Sequence, residues 1–362
     1  MNLGRRRWMT TVALGLLASS LSNPASAQPS AKARIVRRWE TGNSLLAPLA
    51  AANGLVLCGG DERLALFDPD TDQPSWQITH ALPGGMVFRP RIAGDVALCS
   101  GEEALGAWQL STGKPLWRRA AEQQTGVACV HQGRVFVGDG HQLLCLDLHS
   151  GREYWRFAAV PDTLISYAAA AADDTLYVGP GDGRLYALDV SDGRLRWTLN
   201  HIEEWQYLRQ LHVAGEVLVA GSYKEMLYGI GRARGEVLWR FNAGNFINSQ
   251  HIANGVAYLW SPTGWLYAID TRNGELRWRH RTTDYRGSTG NWASILAELV
   301  VLQDRLYALD LDNMLHILDA THGREVLRLK LPESVRPFVL PLAANRLMFG
   351  TQSGELIQVV AE

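Results

Sequence analysis

The sequence predicts an all-β chain folded as an eight-bladed β-propeller of four-stranded antiparallel blades. Three observations predict it. A unit of about forty residues recurs along the chain, most copies end in a hairpin that runs into a tryptophan, and fragments at the two ends combine into one more copy. A period near forty with several short strands per copy is the mark of propeller blades.

The unit is clearest in residues 183–197. Leu185 to Asp189 is a short β-prone run that is apolar on both faces, which suits a strand with sheets packed on each side. Asp189 opens a tight turn, Gly193 supplies a residue that tolerates positive φ, and Leu195 and Trp197 begin the next strand. The same spacing of eight joins Asp68 to Trp76, Gln109 to Trp117, Asp147 to Trp155, Gly231 to Trp239 and Asp270 to Trp278. Gly113, Gly151, Gly235 and Gly274 fill the turn position of Gly193, while the first copy has Gln73 nearby instead. A seventh copy, Asp319 with Gly323, carries Leu327 where tryptophan is expected. Starting from Trp39, successive tryptophans lie 37, 41, 38, 42, 42 and 39 residues apart, which leaves no room for an inserted domain.

The ends of the chain set the blade count. Gly354-Glu355-Leu356-Ile357 repeats the pattern of Gly183-Arg184-Leu185-Tyr186 and stops where the Asp would stand. Residues 35–42 supply a tryptophan strand around Trp39 that has no hairpin partner of its own. Residues 328–362 and 28–39 together make one blade's length. The N-terminal strand is therefore expected to pair with the last one and close the ring, leaving no open sheet edge between first and last blades.

In chain order, residues 1–27 read as a cleaved export signal and residues 28–362 as a single propeller. Arg5-Arg6-Arg7 forms a basic start, Met9 to Leu21 a mildly apolar stretch, and Ala25-Ser26-Ala27 a small-residue cleavage site before Gln28. Arg5-Arg6-Arg7-Trp8-Met9 resembles a twin-arginine signal; a general secretory signal is the alternative. Either places the mature chain in the periplasm. No other apolar run is long enough to span a bilayer, and no cysteine follows the signal to carry a lipid. A net charge of −1 gives no basic field, which argues against a nucleic-acid partner.

Within each blade the strand order is constant; in the fourth the strands are expected near residues 165–171, 175–179, 184–189 and 194–199. Asn53-Gly54 and Asn254-Gly255 mark tight turns between first and second strands, since both residue types tolerate positive φ. Cys58, Cys99, Cys129 and Cys145 fall in different blades or in strands too far apart for the roughly 7 Å Cα limit of a disulfide, so four buried free thiols are expected. Trp39, Trp76, Trp117, Trp155, Trp197, Trp239 and Trp278 share one position in the repeat and are expected to wedge between neighbouring sheets. Burying an indole removes about 150–250 Å² from water, worth at most about 4–6 kcal/mol.

Leu-Tyr-Ala-Leu-Asp followed by Gly and Trp, in residues 185–197 and again with Ile269 in residues 266–278, resembles the PQQ-type propeller repeat. The resemblance covers nearly all of residues 33–362. That family includes quinoprotein alcohol dehydrogenases and BamB-like scaffolds of outer-membrane assembly. The enzyme branch implies an adjacent-cysteine disulfide, a metal held by Glu and Asn, and a catalytic Asp, none of which can be matched here. A single propeller of this length is more similar to the non-enzymatic scaffold branch, although that branch carries a lipid-acceptor cysteine that this chain lacks.

No other chemistry is spelled out. The ten histidines show no metal-ligand spacing, the Gly-Pro-Gly-Asp-Gly loop of residues 179–183 is not followed by the helix of a phosphate loop, and Asp310-Leu311-Asp312-Asn313 lacks the Gly and Glu of a calcium loop. What remains is the face of the disc that carries the connections between blades and those between second and third strands, here called the top. Trp205, Trp260, Trp265 and Trp292 cluster there outside the repeat position, with Tyr207, Tyr223, Phe246 and Tyr285, and with Arg209, His212, Asn248 and Gln250 on inner strands. Aromatic residues beside arginine are enriched at binding hot spots. Trp205, Tyr207, Arg209, Tyr223, Phe246, Asn248, Gln250, Trp265, Tyr285 and Trp292 are thus the expected partner-binding residues. The expected function is that of a monomeric, non-enzymatic scaffold for a protein or peptide, such as an envelope assembly component, with no cofactor. A redox-associated protein holding a pyrroloquinoline quinone-type cofactor in the central funnel is the alternative.

Overall fold

A computed structural model describes residues 32–161, 163–200, 208–222, 225–244, 249–261, 264–282, 298–310 and 312–361, with residues 208, 209 and 222 described in backbone only. Residues 1–27, assigned above to an export signal, lie outside the described residues. Among those described there are eight four-stranded antiparallel sheets, and no helix is long and apolar enough to cross a membrane. Seven sheets each take four strands that follow one another in sequence. The first is Ala50–Ala52, Leu55–Gly59, Arg63–Phe67 and Pro74–Thr79. The eighth takes Leu340–Ala343, Arg346–Gly350 and Leu356–Ala361, and its fourth strand is the N-terminal Ala33–Trp39, which pairs with Leu356–Ala361 from Ala33 opposite Ala361 to Trp39 opposite Leu356. The expected ring closure is thus the observed one.

The second and third strands of a blade are buried on both faces, which explains their unbroken apolar runs. Each blade therefore has two apolar faces, and apolar cores form at the eight junctions of neighbouring blades. The junction that closes the ring joins Trp39, Phe338 and Met348 of the eighth blade to Leu49, Val56 and Phe67 of the first.

The repeated tryptophans fasten these junctions. The indole N–H of Trp197 donates to the backbone carbonyl of Arg232, in the hairpin turn of the next blade, at 3.0 Å. Trp76, Trp117, Trp155, Trp239 and Trp278 repeat the bond, to Leu110, Leu148, Val190, Thr271 and Ala320, at 2.8–3.1 Å. The turn glycine then has a second task beyond positive φ. A Cβ on Gly235 would stand 2.6 Å from the Trp197 ring, and Gly113, Gly151, Gly193, Gly274 and Gly323 face the preceding blade's tryptophan just as closely. Trp39 reaches the first blade in the same way, through the Thr71 carbonyl at 3.0 Å, without a turn glycine. Leu327 now has an explanation. The blade it faces is the eighth, whose third and fourth strands come from opposite ends of the chain and are joined by no turn, so a tryptophan there would have no hairpin to dock on.

Two expectations need adjustment. The inner strand of the fourth blade is only Ala170–Ala172, not residues 165–171. The segment before it is drawn to the third blade instead: the Ile165 N–H bonds the Gly140 carbonyl at 2.8 Å and the Ser166 carbonyl accepts from Val127 N–H at 3.0 Å. All four cysteines are free, as expected, and Cys58, Cys99 and Cys145 are buried, but Cys129 is only half-buried. Asn53-Gly54 and Asn254-Gly255 take positive φ at both residues, between 52° and 79°, as their turns require.

Candidate functional site

The top of the sixth blade carries an aromatic and basic surface around Trp265, one of the residues singled out in the sequence. Trp265 opens the third strand, Trp265–Asp270, and lies opposite Arg281 at the end of the fourth, Leu276–Arg281; Tyr267 lies opposite Arg279. Period-two alternation puts all four side chains on one face of the blade. The Arg279 and Arg281 guanidinium groups stand 4.7 and 5.0 Å from the centroid of the Trp265 ring. Each such contact is worth about 0.5–1 kcal/mol at an exposed site. Tyr267 continues the surface into the junction with the fifth blade, edge-on to Phe241 at 5.5 Å. Trp265 is half-buried, while Arg279 and Arg281 are exposed. At the other end of the strand pair, Arg272 and Arg277 both bond Asp270 at 2.8 Å and hold its carboxyl well below the usual range.

Of the other residues expected to bind a partner, Gln250 sits on the inner strand Ser249–Ala253, buried, and its amide donates to the backbone carbonyl of Gln210 at 2.9 Å. Arg209 lies on the inner strand Leu208–Ala214, where only its backbone is described. Trp205, Tyr207, Tyr223, Phe246, Asn248, Tyr285 and Trp292 lie outside the described residues. Trp260, counted above among the top-face aromatics, belongs to the core: it is fully buried at the junction of the sixth and seventh blades, its indole N–H on Thr282 Oγ1 at 3.3 Å. Its position beside a top connection did not reveal that the neighbouring blade covers it.

A second feature is a cavity of about 700 Å³ at the centre of the ring, lined by inner-strand segments of the first five blades and the eighth. Most of the residues in its wall are apolar, with alanines 168–171 on one side, but backbone and charged groups make its surface about as polar as apolar. Arg89 and Arg91 supply charge. Arg89 forms an ion pair with Glu298, which burial pushes toward its neutral form, and Arg91 Nε donates to the Ala128 carbonyl at 3.1 Å. His212 in the wall and His251 near it are both pushed down to about 4, chiefly by burial, so both are neutral at pH 7.

A third cluster was not visible in the sequence. His316 is buried between the sixth and seventh blades, with Nδ1 2.7 Å from Glu325 and Nε2 3.7 Å from Asp310. Burial alone would lower its pKa, but the two carboxylates outweigh burial and raise it, while Glu325 is held down at about 2. The available signal was register: His316 occupies the repeat position of Tyr186 and Tyr267. In the fourth blade Tyr186 likewise bonds a loop carboxylate, Asp182, at 2.7 Å. Among the described residues no three His, Cys, Asp or Glu side chains converge as a metal-binding group.

With this geometry in place, comparisons with known proteins become informative. A family profile described as "Outer membrane protein assembly factor BamB" matches residues 60–204 and again 202–359. Over 102 residues the chain is 28% identical to the outer membrane protein assembly factor BamB of Marinobacter adhaerens. That stretch is 28% of this chain and 25% of that protein, so it spans about a quarter of the curated relative's length. The crystal structure of BamB from Moraxella catarrhalis superposes with a TM-score of 0.68 at 20% identity, covering 91% of this chain and 99% of that one. Quinohemoprotein alcohol dehydrogenase ADHIIG from Pseudomonas putida HK5 superposes with a TM-score of 0.65 at 13% identity, covering 91% and 76% of the two chains. At such identities the two structures bear on the fold alone.

Proposed function

Because the chain belongs to the PQQ-repeat propeller family described as outer membrane protein assembly factor BamB, we propose that it is a non-enzymatic scaffold that binds protein partners in the periplasm. The observation that carries the reading is Trp265 with both the Arg279 and Arg281 guanidinium groups against its ring on the top rim of the sixth blade. A half-buried indole flanked by guanidinium groups offers a large apolar face and directional charge, the composition of a binding hot spot. Export rests on the basic, apolar and small-residue pattern of residues 1–27. The partner is a protein or peptide of the envelope assembly machinery, a role drawn from the family description.

Capture of envelope proteins by the exported chain tests this. Trp265→Ala is expected to weaken capture by about thirtyfold, the usual effect of truncating a hot-spot aromatic, with an unchanged melting temperature. Early melting of that variant together with normal capture would overturn the assignment, because the ring would then be structural.

A quinone-type cofactor in the central cavity is the weaker reading. It is favoured by the cavity's volume of about 700 Å³, within the usual range for ligand sites. It is disfavoured by charge. Pyrroloquinoline quinone carries three carboxylates, whereas of the two arginines in the wall Arg89 is already paired with Glu298. Near-ultraviolet absorbance of the purified protein separates the readings, since a bound quinone absorbs there and a bare scaffold has only its aromatic bands.

A further inference from the structure

We propose that the outer edge of the sixth blade receives an acidic, extended segment of the partner, added as a fifth strand beside Leu276–Arg281. The proposal rests on the scaffold reading above and specifies the chemistry of what that site takes. Leu276–Arg281 has a strand neighbour on one side only, Trp265–Asp270. Its other side presents a row of backbone donors and acceptors, on which an extended peptide can pair.

Every blade has such an edge; this one differs in charge. Arg279 and Arg281 alternate along it and so share the face of Trp265 and Tyr267, Arg277 stands at a bulge where the register shifts, and all three are exposed. Arg277 is taken up by Asp270, but Arg279 has no carboxylate partner among the described residues. Four basic edges elsewhere carry a neutralising acid. Arg156 of the third blade is tied to Glu153 and Glu122, Arg196 of the fourth to Asp189, Arg328 of the seventh to Glu325, and Arg38 of the eighth to Glu333 and Glu355. Arg118 of the second blade is a single charge stacked on the ring of Trp108, which is itself fully buried. Tyr154 on the outer strand of the third blade also meets two arginines, Arg134 and Arg152, but both lie off that strand. Among the described residues the sixth blade sets guanidinium groups of the edge strand itself against a half-buried indole, Trp265, so that an incoming strand would meet positive charge and an aromatic face together. Arginines on an edge also guard it against pairing with another copy of the same basic strand. An acidic strand is what those charges admit.

The test uses the purified, full mature chain and three labelled peptides followed by fluorescence polarisation. One peptide alternates Glu with Val and Thr, the second has Lys in place of every Glu, and the third is the acidic peptide with a central proline, which cannot complete a strand ladder. The acidic peptide is expected to bind, to weaken about tenfold or more as salt rises, and to lose binding when proline is inserted; the Lys peptide is expected not to bind. Arg279→Glu with Arg281→Glu should abolish capture of the acidic peptide and admit the Lys peptide, with the melting curve retained. Equal binding of acidic and basic peptides, or indifference to the double charge reversal in a folded variant, overturns the proposal. A photo-crosslinking residue in place of Leu276, on the same edge, separates this from the parent reading. Protein adducts at that position without acidic-peptide binding would sink the acidic strand and leave the scaffold standing. No adducts and no peptide binding would sink the edge site, and loss of capture by the intact chain in the Trp265 assay would sink the scaffold as well.

Discussion

Replacing Gly235 with alanine tests how the blades are fastened. Gly235 has φ +78°, and a Cβ there would stand 2.6 Å from the Trp197 ring, whose N–H bonds Arg232 in the same turn. Gly215 is the control: its φ is +58°, and an added Cβ would meet nothing within 4 Å. Gly215→Ala should therefore cost only the left-handed backbone, about 1–2 kcal/mol. Gly235→Ala carries the same backbone term and also lifts the indole from its seat. Complete loss of a packed Trp costs about 3–5 kcal/mol, so partial displacement should add about 2 kcal/mol. In a Trp197→Ala background the seat is empty, and Gly235→Ala should fall back to the cost of the control. The coupling in this cycle is then about 2 kcal/mol, well above the additivity error of independent sites. Urea midpoints are the better readout, because 1 kcal/mol moves the melting point of a chain of this length by only about 1.5 °C. Equal losses for Gly215→Ala and Gly235→Ala, or strict additivity with Trp197→Ala, would refute the docking of ring on turn.

Further outcomes follow from the ends of the chain and from the seventh blade. Deleting residues 28–42 removes the fourth strand of the eighth blade and should lower the melting temperature sharply; an unchanged curve would mean that Trp39 does not hold the ring closed. His316, with its raised pKa, stabilises the fold in its protonated form, so that stability is complete below about pH 6.5 and is lost as pH rises through the higher folded value. Glu325 works in the opposite direction, its contribution present above about pH 4.3 and lost as pH falls toward about 2. His316→Tyr, which restores the residue found in other blades, should flatten the alkaline slope of a melting-temperature profile, and an unchanged slope would assign it to other groups. Changing Arg5 and Arg6 together to Lys should leave unprocessed chain in the cytoplasm if the signal is of twin-arginine type; normal cleavage after Ala27 would identify the general secretory route.

The fold was legible because its parts repeat. Seven copies of one register, each keeping at least two of Asp, Gly and Trp in fixed order, outvote any local ambiguity, and the unpaired Trp39 strand could be matched to the unfinished residues 353–360. Trp260 was misplaced because burial of a residue between blades depends on its neighbour, and that neighbour starts some forty residues further on. The inner strand of the fourth blade was overestimated for a related reason: Ile165 and Ser166 find hydrogen bonds in the third blade, a choice that local strand propensity does not record. Trp265 was legible as an aromatic outside the repeat register. The flanking Arg279 and Arg281 were less so, since their meaning depends on cross-strand pairing and, among the described residues, on the lack of a carboxylate partner for Arg279. His316 went unnoticed because a lone histidine in a strand carries no signal until Asp310 and Glu325 are brought beside it.

The seam of the eighth blade also has a kinetic meaning. Arg38 bonds Glu355 across 317 residues of intervening chain, whereas the hairpins inside each blade close over about ten. Loop-closure entropy grows as (3/2)RT ln n, so drawing these two ends together costs about 3 kcal/mol more than closing such a hairpin. Blades one to seven can each assemble as soon as their own residues are available, but the eighth must wait for the last residues of the chain to find the first. Until then the ring is an open arc with Pro74–Thr79 and Leu340–Ala343 on the blades at its two ends. The interval before closure is the period in which the exposed flanks of those blades are most open to pairing with another chain.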